Sequence, residues 1–396
     1  TMWGTHQQRQ IHPDARLADV TRSVWRQYQR DHVFREACSW LKEMTQEDSW
    51  IYCVGGCEIG AISPEERSAT CVFVNGCFAP SLSVLPAEII VAPLREARAF
   101  FQKHDEEDVV EELHSLLRGE EGTVIYIPEG RELQTPLFVQ HHYVCSEEEN
   151  KKTVSVPYIV FVLGKGAAIS IEMGMSALPD NVYLFGKTLC FLGEEAELVL
   201  TMKPLPKGTE RIIWAHHVEV ERRGACALIQ DMRSMGKGWF RNSFFLKGEA
   251  AHGESLVKVL GGDFLGVHNT MHHDDRETTS RQNIRSILEE GSFSFEGGIY
   301  ISPRGTLSNA YQKHDTLLLS NRASASTFPR LEILTDDVKA SHGATVGSLN
   351  AHLLTYLRSR GFSLIEAKQA LQKSFLTLDI EKPYFPKLQK QDLYHV

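Results

Sequence analysis

Between residues 122 and 334 one texture repeats: a short apolar run, then a glycine or another turn former, then the next run, with no helical period between them. Such runs stand at 124–127, 137–139, 158–163, 198–200, 212–214, 226–229, 256–260, 293–295, 299–301 and 331–333. Gly130, Gly164, Gly166, Gly193, Gly224, Gly248, Gly261 and Gly291 punctuate them. Strands joined this closely leave no room for crossover helices, which excludes a βαβ fold. They also continue too long for most single sandwiches, so the expected fold is mainly β: a right-handed parallel β-helix.

A coil of this kind has two open ends that need covering, and helical patterns occur on both sides of it. The expected division is 1–120, an N-terminal helical and mixed region; 121–336, the β-helix core; and 337–396, a C-terminal helical region. Val20, Val24, Tyr28, Phe34 and Leu41 give helical period over 15–47, and Val109, Val110, Leu113 and Leu117 give it again over 94–117. Between these, 71–80 reads as strand, Asn75-Gly76 turn, and return strand. Beyond residue 348, Leu349, Leu353, Leu354, Tyr356 and Leu357 form one helix face that Gly361 ends. Ser363 and Glu366 then form a capping box for a helix striped by Leu364, Leu371 and Phe375. The tail after Lys382, with Pro383, Pro386 and several lysines, is expected to be loosely ordered.

A chain of 396 residues, 42% hydrophobic, can bury a large core, and its net charge of -9 argues against nucleic acid as a partner. No apolar run approaches the ~20 residues of a membrane span, and the first thirty residues are polar. No membrane association and a cytoplasmic location are therefore expected. Eight dispersed cysteines favour reduced thiols. Cys53/Cys57 and Cys71/Cys77 lack the two-residue gap of a zinc ribbon and read as small buried hydrophobes. No cysteine follows Cys226, which leaves metal chemistry in the C-terminal half to histidine and carboxylate. The densest ligand-type cluster is His268-Asn-Thr-Met-His272-His273-Asp274-Asp275, a candidate metal site or a polar surface row. On a strand, His268 and His272 share a face with Asp274 while His273 points away. By the same alternation the pairs His141-His142 and His216-His217 diverge and are assigned to structure or solvent. No phosphate-cradling Gly-x-x-x-x-Gly-Lys loop and no Gly-x-Ser-x-Gly elbow occurs.

The β texture gives way to helical period around Asp336-Asp-Val-Lys-Ala-Ser-His-Gly-Ala-Thr-Val-Gly347. There His342 sits beside Gly343, a residue that permits close backbone approach, as a ligand or proton carrier requires. The competing reading is a histidine that buttresses a turn into the next helix. The order Phe295, Gly298-Ile299, Ala310-Tyr-Gln312, Leu317-Leu-Leu-Ser320, Pro329-Arg-Leu-Glu-Ile333, Asp336-Asp-Val-Lys339, Ser341-His-Gly-Ala-Thr-Val-Gly347 and Tyr356-Leu-Arg-Ser-Arg-Gly361 resembles the C-terminal signature of the SufB/SufD proteins of iron–sulfur cluster assembly. Its Ser-His-Gly form is nearer the SufD branch. The resemblance implies a parallel β-helix between helical regions and a non-catalytic scaffold subunit of a SufB–SufC–SufD complex. The partners it implies are a SufB-like subunit and a SufC-like ATPase; whether the isolated chain forms a homodimer is left open. His342 then belongs to the interface where a nascent cluster forms, and Leu353, Leu357, Leu364, Leu371 and Phe375 dock the ATPase. Many relatives carry cysteine where this chain has Ala340, which leaves the imidazole as the tentative ligand. No cofactor is expected to stay bound to the chain alone; the cluster is a transient cargo. Two other classes remain open: a β-helical enzyme acting on carbohydrate, and a binding scaffold without a metal role.

Overall fold

The computed structural model describes residues 50–52, 69–97, 122–143, 152–175, 182–203, 211–233, 236–378 and 382–388. The lead-in helix expected over 15–47 lies outside them, as does most of the stripe expected over 94–117. The strands in chain order begin with β1 (Trp50–Tyr52), β2 (Thr70–Val74), β3 (Cys77–Phe78), β4 (Ile90–Pro93), β5 (Thr123–Ile127), β6 (Leu137–His142) and β7 (Lys152–Ser155). Next come β8 (Tyr158–Leu163), β9 (Ala168–Met175), β10 (Val182–Leu192), β11 (Glu197–Met202), β12 (Arg211–Val220), β13 (Ala225–Arg233) and β14 (Lys237–Leu246). The series closes with β15 (His252–Leu260), β16 (Phe264–His273), β17 (Thr279–Leu288), β18 (Gly291–Ile301), β19 (Asn309–Leu318), β20 (Ala323–Ile333) and β21 (Lys339–Gly347). The helices are α1 (Leu94–Ala97), α2 (Ala351–Ser359) and α3 (Leu364–Leu376).

These strands coil into two stacked sheets. One runs β20-β18-β16-β14-β12-β10-β8-β5-β4 and the other β21-β19-β17-β15-β13-β11-β9-β6-β2-β3. From β5 and β6 onward every pairing along both paths is parallel, so the expected parallel β-helix is the observed fold. Apolar side chains of the two inner faces meet in one continuous core, which includes Ile125, Phe161, Leu198, Trp214, Leu228, Phe244, Val257, Met271 and Phe295. Burial of these runs is the main favourable term for a coil whose strands pair only with the rung before and the rung after.

A shared turn sets the rung length. After β8, β10, β12, β14, β16 and β18 of the first sheet one residue takes the left-handed conformation: Gly166, Glu195, Arg223, Ala250, Glu277 and Leu307, with φ between 56° and 68°. The N–H of each donates to a carbonyl in the following turn, as from Glu195 to Arg222, Arg223 to Glu249, Ala250 to Arg276 and Leu307 to Asp337. These bonds help offset the strain of a left-handed non-glycine residue. Hydrogen bonds between successive rungs join residues 27 to 30 apart.

The two ends differ. At the N-terminal end β3 runs antiparallel to β2 and β4 antiparallel to β5, and the β2–β3 turn uses Asn75 and Gly76 at φ 47° and 78°, the hairpin expected there. At the C-terminal end β21 occupies part of the region expected to be helical, so the solenoid continues past residue 336 to Gly347. The helices α2 and α3 follow with the expected Gly361 at φ 99° beyond α2 and the reciprocal Ser363/Glu366 box on α3, and the structure adds an Asn350 cap at the start of α2. The expectation of a loose tail is corrected for 382–388, where Phe385 and Leu388 are 0% and 1% exposed. Among the described residues no helix is long and apolar enough to cross a membrane.

Candidate functional site at the open end of the solenoid

Among the described residues β20 pairs only with β18 and β21 only with β19, which leaves one edge of each strand without a β partner. Such edges present unmatched N–H and C=O groups and invite another strand. Around them lie Phe328, Leu334 and Val346, all exposed. His342 sits in the middle of β21, in a strand and not in a helix-entry turn, and its side chain is exposed.

Register decides where His342 faces. It pairs with Gln312 of β19, and Gln312 pairs with Gln282 of β17, so all three side chains lie on the same face. Gln312 is buried, and a Cβ on Gly297 of the opposite sheet would lie 2.3 Å from its Nε2, which shows that it points into the coil. His342 therefore continues, at the mouth, a column of inward polar side chains. Deeper along it, Gln282 Nε2 donates to the Gly298 carbonyl at 2.9 Å and Asn269 Nδ2 to Ser255 Oγ at 2.8 Å. Asn242 Nδ2 reaches Asn269 Oδ1 at 2.6 Å and Gln230 Oε1 at 2.7 Å. Buried amides need such partners, and the column supplies them in part, leaving Asn242 Oδ1, Gln282 Oε1 and Gln312 Oε1 without one.

A second histidine, not singled out by sequence reasoning, lies one rung inward. His314 is buried, its Nε2 is 2.9 Å from Thr316 Oγ1, and the rings of Phe293 and Phe295 meet it edge-on. Burial pushes its pKa down to about 4, so it is a neutral imidazole at pH 7. The only signal for it in the sequence is its place two residues after Gln312 on the same strand face. Ala340, also inward, packs with Val338 and Leu331 against Ile299, Ile301 and Ala310. Gly343 has nothing within 4 Å of where a Cβ would stand, so its own chain does not require a glycine there.

The other candidates are placed as follows. His268 and His272 lie on the outer face of β16 and His273 on its inner face, as alternation requires. His273 contacts Thr278 Oγ1 and Ser280 Oγ, each at 2.8 Å, and burial holds its pKa down to about 3. The His272 ring is stacked between Phe245 and Tyr300, with centroids at 4.5 and 4.7 Å. Burial, then the neighbouring Arg241, Arg330 and His272, holds His268 down to about 4. Among the described residues no three histidine, cysteine or acidic side chains are placed to hold a metal ion. Cys71 is buried in the core with its thiol pushed above the usual range by burial, and so does not offer a thiolate. Of the docking residues expected on the helices, Leu353 and Leu364 are exposed while Leu357, Leu371 and Phe375 are half-buried. Tyr356, expected on the same helix face, is exposed at 53%, and Ile365, which sequence reasoning missed, at 68%. Ala367 is the only fully buried residue of the two helices.

Fold and site together define a parallel β-solenoid whose last described rung carries His342, with an apolar helical hairpin following it. The chain belongs to the SufBD family: the family model described as SUF system FeS cluster assembly, SufBD core domain, matches residues 144–375. It is 26% identical over 338 residues to an iron–sulfur cluster assembly SufBD family protein of Synechocystis, an alignment covering 79% of this chain and 73% of that one. It is 32% identical over 122 residues to the iron–sulfur cluster assembly protein SufD of Escherichia coli, covering 31% of this chain and 29% of SufD. With the assembly protein SufB of Bacillus subtilis it shares 26% identity over 273 residues, 64% of this chain and 55% of SufB.

Proposed function

We propose that the chain is a SufD-like, non-catalytic scaffold subunit that pairs through its open end with a SufB-like subunit and docks a SufC-like ATPase on its helical hairpin. The observation that carries this reading is the unfinished last rung: two free strand edges, with His342 facing the mouth of the inner polar column. A second strand pair laid along β20 and β21 satisfies those edges and buries Val346 on the inner face. It also encloses His342 in a space shared by two chains. An imidazole there can bind iron or accept a proton while sulfide and iron assemble, the cluster being cargo and not a resident group. The exposed stripe of Leu353, Tyr356, Leu364 and Ile365 supports docking of an apolar partner surface next to that space. Membership of the SufBD family supports assembly of iron–sulfur clusters over the carbohydrate-active alternative.

The test is co-purification of this chain with its SufB-like and SufC-like partners, followed by anaerobic cluster reconstitution with wild type and His342→Ala. The expected result is an intact three-component complex whose cluster yield falls at least tenfold in the variant. Normal yield, or a loss that tracks unfolding, returns His342 to a structural role. Absence of the complex removes the scaffold reading itself.

A further inference from the structure

The outer face of the second sheet is apolar in one place, where Ala168, Val199, Ala225, Ala227, Ile229 and Leu256 cluster across four neighbouring strands. The tail of the chain lies on that patch. We propose that residues 377–378 and 382–388 act as a strap that fixes α3 against the solenoid, so that a displacement of the helical hairpin is carried to the rungs beneath the strap.

Arg285 on β17 grips the near end: its Nη1 donates to the carbonyl oxygens of Phe375 at 2.6 Å and Thr377 at 2.8 Å. A helix leaves its last carbonyls without intrahelical donors, and a cation there also meets the favourable pole of the helix dipole. At the far end Phe385 and Leu388 are fully buried in the apolar patch. Between the ends the Tyr384 ring lies flat on the His252 ring of β15, with centroids 3.7 Å apart and planes within 4°. Lys387 completes the hold. Its backbone N–H donates to the Glu197 carboxylate at 3.0 Å, and its ammonium donates to the carbonyls of Gly166 at 2.9 Å and Glu195 at 2.7 Å. Those two residues are the left-handed positions of successive turns, so one side chain clamps two rungs. From β17 to β11 the strap crosses three strand spacings, roughly 14 Å at about 4.8 Å each.

The hairpin is thus tied to the solenoid twice, through β21 at its start and through the strap at its end. If the hairpin receives the ATPase, as proposed above, the strap is a mechanical route from that partner to the middle of the coil. That consequence rests on the docking reading, whereas the strap itself does not.

Hydrogen–deuterium exchange on the isolated full-length chain tests it, comparing wild type with the Phe385→Ala/Leu388→Ala double variant. Amides of α3 and of 377–388 are expected to exchange at least tenfold faster in the variant, with β16 and β18 at wild-type rates. Wild-type exchange in α3 while 377–388 exchanges freely overturns the proposal. If the double variant loses protection in β16 and β18 as well, Lys387→Ala decides, because it keeps both apolar anchors. Severalfold faster exchange in 377–388 and α3 is then expected, and wild-type rates in either overturn the strap. No ATPase is present, so loss of the docking reading and loss of the strap are separate outcomes.

Discussion

Replacing Gly343 by alanine separates what the chain needs for its own fold from what a partner needs at the open end. The methyl group would enter open space, and Gly343 is not among the glycines with positive φ. Within the isolated chain the substitution removes unfolded-state freedom at no steric cost, which is expected to stabilise by about 0.4–1 kcal/mol. If the second chain of the proposed pairing packs on the outer face of β21 at residue 343, the same methyl displaces its atoms, at about 1–3 kcal/mol for an overpacked site. With about 1.4 kcal/mol per factor of ten, pairing with the SufB-like subunit should weaken roughly five- to hundredfold. Urea unfolding of the isolated variant and calorimetric titration with the partner measure the two effects independently. Unchanged affinity would refute a close approach at residue 343. An isolated variant that unfolds more easily would refute the statement that its own chain leaves that position open.

Gly297→Ala is the opposite case, since its Cβ would lie 2.3 Å from Gln312 Nε2 in a filled interior; a loss of about 1–3 kcal/mol in urea unfolding is expected, and a neutral result would show the polar column to be loosely held. Acid should destabilise the fold through its buried histidines. His216 and His273 are held down to about 3, so between that value and 6.5 the unfolded chain binds protons the fold does not, and stability falls as pH drops through this window. At pH 5 each contributes a loss of up to about 2 kcal/mol, and an equal urea midpoint at pH 7.5 and pH 5 would contradict it. Glu197 has the opposite sign. Burial raises it to about 7 against the lowering effect of Lys387, so its burial is tolerated best below pH 4.5 and becomes unfavourable as pH rises through 7. Glu197→Gln, which still accepts from the Lys387 N–H, should raise the unfolding midpoint at pH 8 by an amount worth about 1–3 kcal/mol and leave it unchanged at pH 4. A variant less stable at pH 8 would show the carboxylate to be favourable there.

The solenoid was legible because parallel strands buried in a coil read as nearly unbroken apolar runs. Its period was not, because the shared turn is a backbone conformation filled by glycine, glutamate, arginine, alanine and leucine in different rungs, so no side chain repeats. The strand nature of β21 was hidden by composition: Lys-Ala-Ser-His-Gly-Ala-Thr-Val-Gly lacks the apolar alternation of a half-buried strand, and β21 is exposed over nearly its whole length. The strap was misread for a related reason. Prolines and lysines after 382 resemble a loose tail, while the patch that receives Phe385 is assembled from β9, β11, β13 and β15 only once the coil has formed. His342 was singled out by its place beside Gly343 and by the ordered motifs around it. Its continuity with Gln312 and Gln282 needed the register.

The asymmetry of the two ends is what gives the site its direction. At the first rungs β3 and β4 run antiparallel to their neighbours, whereas at the last rung the pairing stays parallel and, among the described residues, one edge each of β20 and β21 has no β partner, beside exposed Val346 and a polar column that stops at an exposed imidazole. A chain left in that state invites edge-to-edge association, and its own inner face calls for one more rung. A partner that supplies this rung must continue both the apolar cluster of Ile299, Ile301 and Ala340 and the column ending in His342, as β21 does for β19. It would thereby bury His342 as His314 is buried one rung inward. Under the proposed pairing, association and construction of the shared site are one event, and a movement that separates the rungs reopens the site to solvent. The hairpin and its strap start and end on the same sheet as His342, which is where such a movement can be applied.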